Sequence, residues 1–72
     1  MQLNEFTTLE YKDKLKVLNQ SGKLFKLVTF DQYQFTLYRV TDFYVELKRN
    51  INELYFDTIV AMHYDDLPTI YK

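Results

Sequence analysis

Two places in this chain gather residue types that could do chemistry. The stretch "HYDD" sets His63, the only histidine, beside Asp65 and Asp66. An imidazole with two carboxylates is part of a metal-ligand set. A closed zinc or transition-metal site needs further ligands converging from elsewhere, and the chain has no cysteine and no second histidine to supply them. A single histidine at a strand end is more often a surface residue, and we read His63 so. The second place is the carboxylate pair Glu46 and Asp57, which adjacent strands could bring together for acid–base work. Catalytic carboxylates need a shaped, partly dry cavity, whereas these two would sit on a flat sheet face, so we expect them to be solvated. Ser21, the only serine, has no histidine partner nearby for nucleophilic catalysis. With Gly22 the only glycine, no glycine-rich loop can cradle a phosphate. We expect no catalytic residues, no metal and no cofactor.

The remaining candidate is a surface. In "FYVELKRNINELYFDT", Phe43 to Thr58, one alternating set (Phe43, Val45, Leu47, then Leu54 and Phe56) can face a core. The other set would share the outer face of a sheet. There Tyr38, Tyr44, Tyr55 and Ile59 would lie among Gln34, Thr36, Glu46, Lys48, Asp57 and His63. Tyrosine brings contact area at low entropy cost and is enriched in interfaces, which makes Tyr38, Tyr44, Tyr55 and Ile59 candidate interface residues for a protein partner or a second copy in a homodimer. The plain alternative is a wetted sheet, since tyrosine is also a good strand former.

Composition narrows the field further. The 72 residues suffice for one domain, 1–72, and so short a chain buries only about 60% of the surface its unfolded form exposes. Six Phe and seven Tyr, part of a 47% hydrophobic content, are how it compensates. Without cysteines it has no disulfide or thiolate staple, so it must fold by packing, alone or with self-association. Nine basic against ten acidic residues leave a net charge of −1, which argues against nucleic acid as a general partner. Aromatics interleaved with Lys and Arg do resemble single-strand nucleic-acid platforms, and that stands as the second reading. A third is a small-ligand or enzyme site formed only between protomers. No apolar run approaches the roughly 18 residues of a membrane helix and no leader pattern is visible, so the chain reads as cytoplasmic and soluble, with no membrane partner.

The elements that must position these residues follow from periodicity. "FTTLEY" predicts a helix start with Thr7 as N-cap, Glu10 returning to it, and Phe6 stapled to Tyr11. Tyr11, Leu15 and Leu18 then recur at helical spacing, and Ser21-Gly22 ends the helix, with Gly22 expected in the left-handed conformation. After Gly22 the period becomes two. The pattern predicts strands at Lys23 to Phe30, Tyr33 to Val40, Phe43 to Arg49 and Leu54 to His63, with breaks too short for helical crossovers. The fold class is therefore α+β: one N-terminal helix packed on a four-stranded antiparallel meander sheet, with a short C-terminal turn.

The expected core sets Tyr11, Leu15 and Leu18 against Phe35, Leu37, Phe43, Val45, Leu47, Phe56 and Val60. On strand one the pattern favours Phe25 and Leu27 inward, because the opposite choice also buries Lys26. For the last hairpin, facing residues should sum to an odd number: 103 pairs Leu47 with Phe56 but Glu46 with Asp57, while 101 pairs Leu47 with Leu54 and Lys48 with Glu53. Leu67, Ile70 and Tyr71 of the tail are expected over a sheet edge.

At "LYRVTDFYVELKRN", Leu37 to Asn50, the chain resembles a family of small uncharacterised bacterial proteins of about this length. The similarity extends to the "FTTL" helix opening, to the single Gly after the helix, and to Leu-Tyr and Phe-Tyr-Val-Glu on adjacent strands. "DDLPTIYK" departs from the family's ending. The resemblance implies a helix followed by four strands and no particular activity.

Overall fold

The computed structural model describes residues 1–72. Two short helices, α1 (Leu3–Thr7) and α2 (Tyr11–Ser21), precede a four-stranded antiparallel sheet of β1 (Lys23–Phe30), β2 (Tyr33–Val40), β3 (Phe43–Asn50) and β4 (Thr58–Met62) in the order β1-β2-β3-β4. Two single 3-10 turns, Tyr64–Asp66 and Thr69–Tyr71, end the chain. The α+β meander is as expected, and the differences lie in how it is closed.

The expected single helix opening at Thr7 is two pieces. The Thr7 hydroxyl donates back to the Leu3 carbonyl at 2.9 Å and the Thr8 hydroxyl to the Glu5 carbonyl at 2.8 Å. Both hydroxyls thus close α1 instead of opening α2. Glu5, not Glu10, reaches back to the start of a helix, accepting from the Gln2 N–H at 2.9 Å. Glu10 occupies the N-cap position of α2 in extended conformation. Phe6 packs on Phe43, ring centroids 5.8 Å apart, and is fully buried. Tyr11 stays largely exposed and its hydroxyl accepts the Phe56 N–H at 3.0 Å.

Gly22 is not left-handed: it is extended, with φ −79° and ψ 142°. Its lack of a side chain answers a different need, because a Cβ there would lie 2.7 Å from the Leu18 carbonyl oxygen. Positive φ falls instead on Asp31 (58°) and Thr41 (51°), each the first residue of a two-residue turn.

The Thr41-Asp42 turn decides which residues share a face. It sets Val40 opposite Phe43, so Thr36 faces Leu47 and Tyr38 faces Val45. Even-numbered residues of β2 therefore join odd-numbered residues of β3 on the helix side. There Phe6, Leu18, Val40, Phe43, Val45 and Leu47 form the main core, flanked by Leu15, Tyr38, Phe56, Ile59 and Ala61. Phe35 and Leu37, expected in that core, lie on the other face, as does Val60 opposite Glu46.

That second face is covered too. The tail crosses it, and Leu67 and Tyr71 bury Leu37 and Tyr44, with Val28, Phe35 and Met62 alongside. Leu67 and Tyr71 thus cap a face and not an edge, while Ile70 stays exposed. The sheet is a shared wall between two small cores, which is how a chain with thirteen aromatics and 72 residues finds enough to bury.

β4 is shorter than expected, because residues 51–57 form a wide loop. Arg49 Nη1 donates to the Glu53 carbonyl at 2.7 Å, Asn50 Oδ1 accepts the Asn52 N–H at 2.9 Å, and the Asp57 N–H reaches the Lys48 carbonyl at 2.7 Å. The pairing then runs Leu47 to Ile59 and Glu46 to Val60, a sum of 106 that matches neither expected register. The odd number of loop residues makes the sum even, so Ile59 joins Leu47 on the helix side, the opposite alternation to the one a four-residue loop would impose.

Candidate interaction surface

The four tyrosine-face residues do not come together. Tyr38 is half-buried on the helix side against the main core. Ile59 sits on that side too, opposite Leu47. Tyr44 lies on the other face, only 9% exposed, with the Phe25 ring edge-on at 5.2 Å and Tyr64 at 5.9 Å. Tyr55 is exposed in the wide loop, where the neighbouring Glu53 carboxylate raises its pKa. No common tyrosine face exists, since the parity of the two hairpins splits it and the tail covers half of what remains.

The chemical candidates are likewise dispersed. Glu46 is not beside Asp57; its Oε2 accepts the Tyr71 hydroxyl at 2.8 Å, and burial first, then this bond and the carboxylate charge, push the Tyr71 pKa up. Asp57 stands in the loop before β4. His63 borders a shallow cleft with Gln2, Leu3, Asn4 and Asp42. Ser21 borders another, of about 420 Å³, with Lys23, Arg39 and Thr41. Arg39 and Lys23 stand directly opposite each other there, at the carbonyl end of α2, whose partial negative charge suits cations.

A different surface emerges on β1. This edge strand carries Leu24, Leu27 and Phe30 at 61%, 55% and 73% exposure, with Phe25 also exposed. Helix packing accounts for Leu24 and Leu27: α2 packs chiefly on β2 and α1 on β4, which leaves these two exposed on the helix side, while Phe30 projects from the other face beyond the tail. A β-bulge at Phe25 adds to this. Leu24 pairs with Tyr38 and Lys26 with Leu37, so Phe25 is the extra residue. Phe25 and Lys26 therefore both turn to the tail side, where Phe25 meets Tyr44, while Leu24 and Leu27 turn to the helix side. The expected Phe25/Leu27 pairing on one face is thus broken by the bulge.

The hydrogen-bonding edge is open as well. In a hairpin closed by a two-residue turn, the flanking pair, here Phe30 and Tyr33, exchanges both backbone bonds, and such pairs alternate along the ladder. Lys26, Val28 and Phe30 thus turn their N–H and C=O groups to β2. Leu27 and Thr29 turn theirs outward.

The sequence signal for this surface is the apolar character of both sides of the alternation on strand one, Phe25 and Leu27 on one and Leu24, Val28 and Phe30 on the other. No protein-family model, curated protein or solved structure matches the chain. No helix is long and apolar enough to cross a membrane.

Proposed function

We propose that this chain is a non-enzymatic, cytoplasmic interaction module that binds a protein partner by strand addition along the open edge of β1. The observation that carries this reading is the coincidence, on one edge strand, of outward backbone groups at Leu27 and Thr29 with exposed Leu24, Leu27 and Phe30. An uncovered apolar edge is a template for another strand: the backbone supplies affinity and alternate side chains supply selectivity. Lys23 and Lys26, both in the first half of β1, leave the stretch from Leu27 to Phe30 without a charged guard against such pairing. The cysteine-free composition supports a reducing compartment.

The test is chemical capture from the native cell with wild type and with a Leu27→Glu/Phe30→Glu variant. Both side chains are exposed, so the variant should keep its circular dichroism and its melting temperature to within a few degrees. A protein held by wild type and by a Leu54→Glu control, but lost by the β1 variant, is the expected result. Capture that ignores the β1 changes, or no capture at all, overturns the proposal.

A further inference from the structure

We infer that the partner of β1 is β1 of a second copy, paired antiparallel about a two-fold axis at Val28; this rests on the strand-addition reading above. The register follows from which groups are free. Leu27 and Thr29 are the residues whose backbone groups face outward, and two residues can exchange both bonds only when they stand opposite each other. Setting Leu27 of one copy opposite Thr29 of the other satisfies this twice by symmetry, giving four backbone bonds. Val28 then faces its own symmetry mate across the axis.

The side chains agree with that register. Lys26, Val28 and Phe30 lie on the tail side of the sheet and Leu27 and Thr29 on the helix side, so the two-fold runs perpendicular to the sheet and joins like face to like face. On the tail side Lys26 of each copy comes beside Phe30 of the other, an ammonium against an aromatic ring, as Lys48 already lies over Tyr33 at 4.4 Å within the chain. Lys26 therefore stands away from its own mate and covers the most exposed phenylalanine. On the helix side Leu27 packs along Thr29.

Charge favours the same direction. Lys23 and Lys26 stand at the start of β1 and Asp31 in the turn just past its end. Antiparallel pairing brings the lysines of each copy alongside Asp31 of the other, whereas parallel pairing stacks lysine on lysine. The bulge limits the contact at one end and the Asp31-Gln32 turn at the other. A register centred on Leu27 sets bulged Phe25 against Thr29, and one centred on Thr29 runs into the turn after Phe30. The Val28-centred pairing alone uses the whole regular stretch from Lys26 to Phe30. The product is a continuous eight-stranded sheet with both helix layers on one side.

A chain without cysteines permits a clean test with single-cysteine variants of the full-length protein. Opposed Cα atoms in a pair without mutual backbone bonds stand about 4.5 Å apart, within disulfide range. Sedimentation of wild type should show a concentration-dependent dimer that Leu27→Glu/Phe30→Glu abolishes. Under a glutathione redox buffer Val28→Cys should form a covalent dimer at least tenfold faster than Thr29→Cys or Leu54→Cys. Wild type that stays monomeric at millimolar concentration overturns self-pairing; if β1-dependent capture of another protein persists, strand addition itself stands. A dimer that survives the double glutamate variant overturns both. Equal cross-linking of Val28→Cys and Thr29→Cys overturns the register.

Discussion

The Tyr71 hydroxyl donates to Glu46 Oε2 at 2.8 Å on the face of the sheet opposite the helices. Tyr71 is almost completely buried, with Leu67 the anchor of the tail. This one bond ties the last turn of the chain to the middle of β3.

Its protonation makes the fold sensitive to alkali. The Tyr71 pKa is raised above its unfolded value near 10, so above that pH the unfolded chain loses a proton that the folded chain keeps. The contribution is fully present below pH 10 and declines as pH rises past it. Tyr71→Phe should cost about 1–2 kcal/mol at pH 7, because Glu46 loses its donor. Urea unfolding of both proteins at pH 7 and pH 11 should show the gap narrowing at the higher pH; a constant gap would remove the bond from the argument.

Gly22→Ala should destabilise the protein by about 1–3 kcal/mol, although its φ is one that alanine adopts freely. The cost arises from the added Cβ, 2.7 Å from the Leu18 carbonyl oxygen and 3.1 Å from Leu18 Cα. Backbone cannot swing aside like a side chain, so α2 and β1 must separate. The thermal midpoint checks this, with Ser21→Ala as a neighbour expected to change little.

Thr41→Gly should act in the opposite sense. A β-branched residue at φ 51° is strained, at a cost of about 1–3 kcal/mol that glycine does not incur. Part of that gain is offset by the greater freedom of an unfolded glycine and by loss of the Thr41 hydroxyl bond to the Val40 carbonyl at 2.7 Å. A net gain of about 1 kcal/mol corresponds to a rise of roughly 4–8 °C in the midpoint for a domain of this size. A lowered midpoint would mean that the hydroxyl outweighs the backbone.

Local signals read well in this chain, and parity is where reading stops. β1 and β2 begin and end where alternation and turn residues place them, and α2 occupies the stretch from Tyr11 to Ser21 that carries helical spacing. Shared odd numbering groups Phe35 and Leu37 with Phe43, yet the two-residue break at Thr41-Asp42 already requires odd sums across that hairpin and hence opposite faces. That part was available to arithmetic. The loop after β3 was not, since it depends on Arg49 reaching the Glu53 carbonyl and Gln34 Oε1 at once. Nor was the covered second face, because Leu67 and Tyr71 bury their side chains against strands some 25 residues away. The β1 surface falls between: its two-sided apolar pattern is visible in sequence, while its exposure depends on where α1, α2 and the tail pack.

The register of the last hairpin can be tested without a structure. If Leu47 faced Leu54, truncating either would open a cavity and each would cost about 2–5 kcal/mol. In the observed pairing Leu47 faces Ile59 and is 2% exposed, whereas Leu54 stands 99% exposed in the loop. Leu47→Ala should therefore cost about 2–5 kcal/mol and Leu54→Ala should stay within about 0.5 kcal/mol of wild type, as surface changes do. Ile59→Ala should fall between them, since Ile59 is half-buried against the main core. Urea midpoints of the three variants decide the matter, and a Leu54→Ala loss matching that of Leu47→Ala would restore the short-loop hairpin and move Ile59 back to the outer face.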